Sequence, residues 1–193
     1  KLNYCTNYGD ISCPSGRTGG IVATLMYGNI YNCDNRGTIE DDKVGQFEGK
    51  EASITYNYKR MGGIVGGTDD LKTKPECTVE SCTNYGNVMT HLSVRTGGII
   101  SHSNIQIIGC VNKGAVLGDV FTEGNGTNRH GPGWLCGYSG ASTATWTNCK
   151  ACVCEGYVGD YSKYKDDPTS APDATNENAF CHANQNFDPS INF

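Results

Sequence analysis

Apolar and polar residues alternate along short stretches of this chain, and the same alternation returns several times. The phrase Cys-x-Asn-x-Gly-x-Ile/Val occurs four times, and CTNYG stands letter for letter at both 5–9 and 82–86. In the copy at 33–39 the first, third, fifth and seventh residues share one parity, so in an extended chain they face one side. We therefore predict short strands that turn this set inward. The positions fixed by the phrase are Cys5, Asn7, Gly9, Cys33, Asn35, Gly37, Cys82, Asn84, Gly86, Cys110, Asn112 and Gly114.

A second phrase, Gly-Gly-Ile-Val or a close variant, lies between copies of the first, within 18–22, 61–65 and 96–100. Successive copies of the cysteine phrase are 28 residues apart in both halves of the chain. A polar insertion from about 40 to 60 separates the two halves. A repeat of this length that consists of strands and turns is typical of solenoids, propellers and arrays.

Each residue type of the phrase has a role if copies stack around a shared core. Cysteine packs as a small, soft hydrophobe, asparagine amides can form a ladder, glycine permits a sharp corner, and Ile or Val fills the core. A single copy cannot bury its apolar side alone. The prediction is an all-β fold: a repeat β-solenoid (β-helix-like) with short strands over 1–153, degenerate from about 131, and an irregular C-terminal cap over 154–193.

The segment after Val153 contains neither phrase and is rich in Asp, Asn, Ser and Pro. The last copy of a stacked repeat presents strand edges, so we expect this segment to cover them. A flexible tail is the alternative that its composition leaves open. The aromatic residues expected to pack the cap are Tyr157, Tyr161, Tyr164, Phe180 and Phe187.

The two interleaved phrases carry a family resemblance. The matching stretches are TGGIVATLMYGNIYNCDNRGTI, MGGIVGG with TVESCTNYGNV, and TGGIISHSNIQIIGCVNKGAV. They resemble the GLUG-motif and related β-solenoid repeats of large surface and secreted proteins from bacteria, particularly Bacteroidetes and Firmicutes. The resemblance covers roughly 1–153. It implies an exported protein, extracellular or at the cell surface, in which such repeats serve as stalks, adhesins or scaffolds.

Composition and charge limit the classes of partner that this chain can bind. The net charge of −5 and the absence of any basic run argue against nucleic acid, because phosphate binding requires clustered Lys and Arg. No apolar stretch approaches the ~20 residues of a membrane span. The chain opens inside a repeat, at KLNYC, so we expect it to be part of a longer polypeptide.

The 11 cysteines are an odd set in which four belong to the repeat. Stacked copies could come within disulfide range, but burial in register favours reduced thiols. The spacing of Cys149, Cys152 and Cys154, with Cys136 before and Cys181-His182 after, has some likeness to a zinc site. It lacks a second Cys-x-x-Cys knuckle, so we predict no metal and no cofactor.

Catalytic signatures are scarce. The chain contains neither a Gly-x-Ser-x-Gly elbow nor a phosphate-binding Walker loop. His102 follows a Gly-Gly-Ile-Ile strand and is interpreted as structural. The acid pairs at 41–42 and 69–70 follow strands and are interpreted as turn residues, although paired acids in one groove would suit a glycoside hydrolase. A β-helix-type carbohydrate-active enzyme, either polysaccharide lyase or glycoside hydrolase, therefore remains the alternative.

Aromatic side chains are the best candidates for recognition, because flat rings stack on sugars and suit contact sites. We predict ligand binding by Trp134, Tyr138 and Trp146, with sealing of the last copy against the cap as the competing role of the tryptophans. Tyr8 and Tyr85 have the outward parity of CTNYG. The functional prediction is a non-catalytic surface stalk or adhesive module that presents one face to a glycan or a surface protein.

Overall fold

The computed structural model describes the chain at 1–13, 16–41, 60–68, 76–91, 95–102, 105–118, 121–122, 129–137, 149–175 and 179. These residues form short strands, almost all in parallel sheets, with a single turn of α-helix. The all-β prediction is confirmed. No helix among the described residues has the length and apolar character needed to cross a membrane.

The strands, in chain order, are β1 Leu2–Asn3, β2 Thr6–Asn7, β3 Ile11–Ser12, β4 Arg17–Gly19, β5 Asn29–Tyr31, β6 Asp34–Asn35, β7 Ile39–Glu40, β8 Arg60–Gly62, β9 Thr78–Glu80, β10 Thr83–Asn84, β11 Val88–Thr90, β12 Arg95–Gly97, β13 Gln106–Ile108, β14 Val111–Asn112, β15 Val116–Gly118, β16 Phe121–Thr122, β17 Arg129–Gly133, β18 Cys149–Lys150, β19 Val153–Cys154 and β20 Val158–Asp160. The α-helical turn α1, Tyr161–Tyr164, and a 3-10 turn, Pro168–Ser170, follow β20.

The strands are distributed over four sheets: each of the first three sheets contains one strand of every unit, and the fourth contains strands of units 1 to 4. The orders are β1-β5-β9-β13-β18, β2-β6-β10-β14-β19, β3-β7-β11-β15-β20 and β4-β8-β12-β17, with β16 antiparallel to β17 at the edge of the last. We call β1–β4, β5–β8, β9–β12, β13–β17 and β18–β20 units 1 to 5. The architecture is therefore a repeat in which each unit lays its strands parallel to those of the unit before it.

Equivalent letters of the phrases pair with one another across units. Asn7 lies opposite Asn35, Asn35 opposite Asn84, and Asn84 opposite Asn112. The same register joins the Ile/Val position of every unit and the first glycine of the second phrase. Equivalent phrase positions therefore stay in register even across the insertion that separates units 2 and 3.

The predicted parity is also the observed one. In units 2 to 4 the alternate positions of the cysteine phrase are buried, whereas the residue between asparagine and glycine is exposed. The reason for the glycine of the phrase, however, is not the sharp corner that we predicted. A Cβ on Gly86 would stand 1.9 Å from the carbonyl oxygen of Gly37, and one on Gly114 would stand 2.0 Å from that of Gly86. Glycine is required because adjacent units approach closely at this point, not because the backbone turns there.

The corner lies one residue before the cysteine, where the backbone takes the left-handed conformation. Tyr4, Asn32, Ser81 and Ala151 have φ of 56°, 50°, 53° and 52°, and Gly109 has φ of 58°. A side chain in this region is disfavoured by roughly 1–2 kcal/mol relative to a right-handed residue. In four units a non-glycine residue is held in this conformation, because the strands before and after it are fixed by pairing in the first and second sheets.

These corners give a stability prediction. Gly109→Ser should destabilise the chain by about 1 kcal/mol, and Ser81→Gly should stabilise it by up to about 1 kcal/mol. A Cβ on Gly109 would have Ser81 Oγ as its nearest neighbour at 3.8 Å, so backbone strain alone is tested. Urea unfolding measures both changes, and shifts of the same sign would contradict the assignment of the corner.

Parallel pairing continues past Val153 into β19 and β20. Beyond it, Tyr161 is buried with Ala115, Leu117 and Ala171, and Tyr157 and Tyr164 pack against this cluster. Asp160 caps α1, since its carboxylate accepts the backbone N–H of Lys163 at 3.1 Å. Three of the aromatic residues predicted to pack the cap therefore do so, while Phe180 and Phe187 lie outside the described residues.

Candidate recognition surface

The interior is organised by a ladder of asparagine amides. Nδ2 of Asn7, Asn35 and Asn84 each donates to Oδ1 of the asparagine in the following unit, at 2.8 Å in all three cases. The second Nδ2 hydrogen donates, also at 2.8 Å, to the carbonyl of the glycine two residues on. Asn35, Asn84 and Asn112 are fully buried. Each amide thus bonds within its own unit and to the next one.

The two sequence phrases meet across this interior. A Cβ on Gly20 would lie 2.4 Å from Cγ of Asn35, and one on Gly63 would lie 2.3 Å from Cγ of Asn84. The second glycine of each Gly-Gly pair therefore provides the space that the ladder amide of the following unit occupies. This complementarity explains why the phrases alternate along the chain.

The repeat cysteines form a second interior column. Sγ of Cys33, Cys82 and Cys110 donates to the carbonyl two residues earlier, at 3.1, 3.3 and 3.5 Å. These carbonyls precede the left-handed corner, so each thiol bonds to the backbone where the chain turns. Burial raises the pKa of the Cys33 thiol. The contact with Cys152, together with the contact with Cys82 and burial, raises the pKa of Cys110.

Alkylation tests the thiol column. Cys33, Cys82 and Cys110 are fully buried thiols, whereas Cys5 of unit 1 is half-buried. We expect iodoacetamide to modify Cys5 in the native protein and the other three only after unfolding, because modification requires an accessible thiolate. Peptide mass spectrometry before and after denaturation, without reductant, measures this order. Finding the repeat cysteines cross-linked would contradict a reduced column.

The outer face of the second sheet carries a column of a different kind. The exposed position before the phrase glycine is occupied, from unit 1 to unit 5, by Tyr8, Arg36, Tyr85, Lys113 and Glu155, and it follows the asparagine in units 1 to 4 and Cys154 in unit 5. The Arg36 guanidinium carbon lies 4.3 Å from the ring centroid of Tyr85 and 5.9 Å from that of Tyr8. Lys113 Nζ lies 5.6 Å from the Tyr85 centroid and 3.0 Å from Glu155 Oε2, and hydrogen bonding to that carboxylate raises the pKa of Lys113.

This column, Tyr8 to Glu155, alternates aromatic rings with cations along the stacking direction. The Tyr85 ring has a cation near it from each neighbouring unit, Arg36 of unit 2 and Lys113 of unit 4. Tyr8 is 76 % exposed, and its cation contact is with Arg36 of the following unit. The column therefore presents hydroxyl and cationic groups in units 1 to 4, with an accessible aromatic ring at its unit 1 end and the Glu155 carboxylate at its unit 5 end.

Trp134 does not lie at the surface. It is 1 % exposed, and its Nε1–H donates to the carbonyl oxygen of Thr175 at 2.8 Å. Its position in unit 4 corresponds to the second glycine of the Gly-Gly pairs. The ring is packed in the core and bonded to the C-terminal segment, so the prediction that Trp134 stacks on a ligand is corrected. Tyr138 and Trp146 lie outside the described residues, and their predicted role stays a prediction.

Two further chemistry-bearing residues of the described chain, Asp41 and His102, are buried in the fold. Asp41 is 2 % exposed, and its Oδ2 accepts the backbone N–H of His91 from the next unit at 2.9 Å. Burial, followed by the positive charges of Arg95, Arg60 and Arg17, lowers the pKa of His102 to about 3. His102 is therefore neutral at physiological pH. The acids at 42 and 69–70 lie outside the described residues.

The cysteines whose spacing resembles a zinc site do not all lie in one sheet. Cys149 pairs with Ile107 in the first sheet, and Cys154 pairs with Asn112 in the second. Within the described ranges no group of three or more His, Cys, Asp or Glu side chains is placed to hold a metal ion. Cys181 and His182 lie outside those ranges.

Sequence reasoning missed the cations of the outer column. The tyrosines were visible as outward residues, but Arg36 and Lys113 occupy the same phrase position in neighbouring copies. Aligning the four copies letter by letter, rather than reading each one alone, would have placed them in one column. Comparison with family models, with curated proteins and with solved structures gave no match for this chain.

Proposed function

We propose that the chain is a non-catalytic β-solenoid module of an exported cell-surface protein, a rigid stalk that presents one side-chain column to a glycan or protein partner. The observation that carries the proposal is the amide ladder, in which the same side chain bonds at 2.8 Å through four consecutive units. Such a ladder makes every unit depend on its neighbours and favours a stiff, extended body. Surface location rests on the family resemblance of the repeat phrases.

The side chains that an enzyme would need support the same proposal. Asp41, the described member of the first acid pair, is buried and bonds to the backbone of the neighbouring unit. His102 is buried and uncharged. The Asp41 carboxylate links two units, and both buried groups are unsuited to proton transfer with an external polysaccharide.

The outer column is the surface that we assign to recognition. In units 1 to 4 it combines an accessible aromatic ring with guanidinium and ammonium groups. Rings and cations in alternation suit a ligand that combines hydroxyls with carboxylate or sulfate groups, such as an acidic glycan.

A glycan array probed with the purified chain tests this function. We expect binding to acidic glycans that falls about tenfold in Tyr8→Ala/Arg36→Ala, because a ring contact and a charged contact are both lost. The matched control is Ser12→Ala/Glu40→Ala, which changes outward residues of the same two units on the third sheet. Equal loss in both variants would contradict the assignment of the column.

The enzyme alternative is tested on the same material. We expect no shortening of any polysaccharide that the array identifies, measured by size-exclusion chromatography after prolonged incubation. Depolymerisation that is abolished by Asp69→Asn or Asp41→Asn would replace the proposed function with that of a carbohydrate-active enzyme. Tyr138→Ala and Trp146→Ala extend the binding test to the two remaining predicted ligand residues.

A further inference from the structure

Charged and uncharged units alternate on the outer face of the second sheet. Each unit has two outward positions there: one in the outer column, and one before the ladder asparagine or, in unit 5, before Cys154. From unit 1 to unit 5 the pairs are Thr6 and Tyr8, Asp34 and Arg36, Thr83 and Tyr85, Val111 and Lys113, and Val153 and Glu155. Among these described positions, cations occur only in units 2 and 4, with an uncharged unit between them.

The parallel register fixes the spacing of the two cations. β6 pairs with β10 and β10 pairs with β14, so Arg36 and Lys113 stand two strand steps apart. Their backbone positions are therefore separated by about 10 Å, since parallel strands lie ~4.8 Å apart. This spacing is a property of the stacked backbone and does not depend on the conformation of a loop.

Tyr85 of unit 3 holds both cations in place. The Arg36 guanidinium carbon lies 4.3 Å from the centroid of its ring, and Lys113 Nζ lies 5.6 Å from it. Both distances are within the range of a cation–π interaction, which restricts two long side chains. A charged ligand thus meets two pre-positioned cations, and less conformational entropy is lost on binding.

The two cations are also accessible to a ligand. The side chains of Arg36 and Lys113 are 43 % and 40 % exposed, and they form ion pairs with Asp34 at 3.6 Å and with Glu155 at 3.0 Å. Ion pairs between exposed side chains contribute little free energy, so a ligand carboxylate or sulfate can replace them. The Glu155 carboxylate repels an anion at unit 5, which leaves units 2 and 4 as the anion-binding positions.

We propose that this face binds a linear glycan that carries a carboxylate or sulfate on every second sugar and lies along the stacking direction. A sugar in an extended polysaccharide has nearly the length of one strand step, so anionic groups on alternate sugars reach Arg36 and Lys113 together. The uncharged sugar between them lies at Tyr85, which is 38 % exposed and carries a hydroxyl suited to sugar hydroxyls. The inference rests on the proposed function and adds the charge spacing of its ligand.

Two synthetic tetrasaccharides of equal composition test this spacing. Each contains two glucuronates and two N-acetylglucosamines, and the glucuronates are separated by one sugar in the first isomer and adjacent in the second. We expect calorimetry to show about tenfold tighter binding of the first isomer, because only this isomer engages both cations at once. Equal binding of the two isomers, or tighter binding of the second, would overturn the proposal.

Exchanging two residues of the face provides a test with matched composition. In Tyr85→Lys/Lys113→Tyr the cations stand in units 2 and 3, one strand step apart, and this variant should prefer the isomer with adjacent glucuronates. Lys113→Ala retains Arg36 alone and should bind both isomers equally, about tenfold more weakly than the original chain binds the first. The control Lys165→Ala removes an exposed cation next to α1 and should keep the original preference. An exchanged variant with the original preference would overturn the proposal.

The same measurements distinguish a failure of this inference from a failure of the proposed function. If no acidic glycan binds the chain, the proposed recognition of a glycan and the inference both fail. If acidic glycans bind but the chain does not discriminate between the isomers, the inference alone fails. An oligoglutamate peptide that binds more tightly than either tetrasaccharide would assign the face to an acidic protein segment and overturn the proposal.

Discussion

Gly86→Ala should destabilise the chain by about 3 kcal/mol or more, the largest effect that we expect from a single methyl group. The added Cβ would lie 1.9 Å from the Gly37 carbonyl oxygen and 2.6 Å from its carbon, which are backbone atoms of a neighbouring unit. Gly37 lies between the paired strands β6 and β7, so its backbone cannot move far without disturbing the register of both, and overpacking of this kind is costly. Thermal and urea unfolding, followed by far-ultraviolet circular dichroism, measure the loss.

The control for this change is the second copy of the same five letters. Gly9 ends the first CTNYG, but its open side has no neighbouring unit, and Gly9→Ala should cost only a few tenths of a kcal/mol. Gly114→Ala, whose Cβ would lie 2.0 Å from the Gly86 carbonyl oxygen, should behave like Gly86→Ala. Similar stabilities for the Gly9 and Gly86 variants would contradict the close approach of units.

Asn84→Leu should cost on the order of 3 kcal/mol. The amide accepts from Asn35, donates to Asn112 Oδ1 and donates to the Gly86 carbonyl, with each distance 2.8 Å. Leucine would leave polar groups of two neighbouring units buried without this partner, and each such group costs about 1–3 kcal/mol. The measurement is the free energy of unfolding in urea.

Asn87→Leu is the matched control, three residues further along the same unit. Its Oδ1 accepts the backbone N–H of Ala115 at 3.0 Å, so it is not without a role, but its side chain is only half-buried. We expect a loss of about 1 kcal/mol, since water can replace part of this bond. Equal losses of stability at Asn84 and Asn87 would contradict the prediction that the inward-facing asparagine contributes more to stability.

The amide ladder was predictable because parity and period act together. Alternation placed Asn35 and its copies on the inward side, and the recurrence of the whole phrase predicted that the copies stack in register. An asparagine that must be buried, next to an identical asparagine, has few ways to satisfy its amide other than bonding to it. The role of cysteine as a small buried side chain followed from the same reasoning.

Other features were not predictable from residue types. The corners at Tyr4, Asn32, Ser81 and Ala151 have no common chemistry, because pairing on both sides imposes the left-handed backbone. These corners separate the strand in the first sheet from the strand in the second sheet, and this division was likewise not visible. Trp134 is large where its counterparts are glycine, and only the position of the C-terminal segment shows that its ring is enclosed.

Nuclear magnetic resonance of the asparagine side-chain amides tests the central claim, that the Cys-x-Asn-x-Gly copies stack in register, most directly. In a 15N-labelled chain we predict cross-unit nuclear Overhauser contacts between the amides of Asn35 and Asn84, and between those of Asn84 and Asn112. We also predict that these amide hydrogens exchange far more slowly than those of Asn29, which is only half-buried. Rapid exchange of the Asn84 amide, with no contact to either neighbouring asparagine, would contradict the stacked repeat.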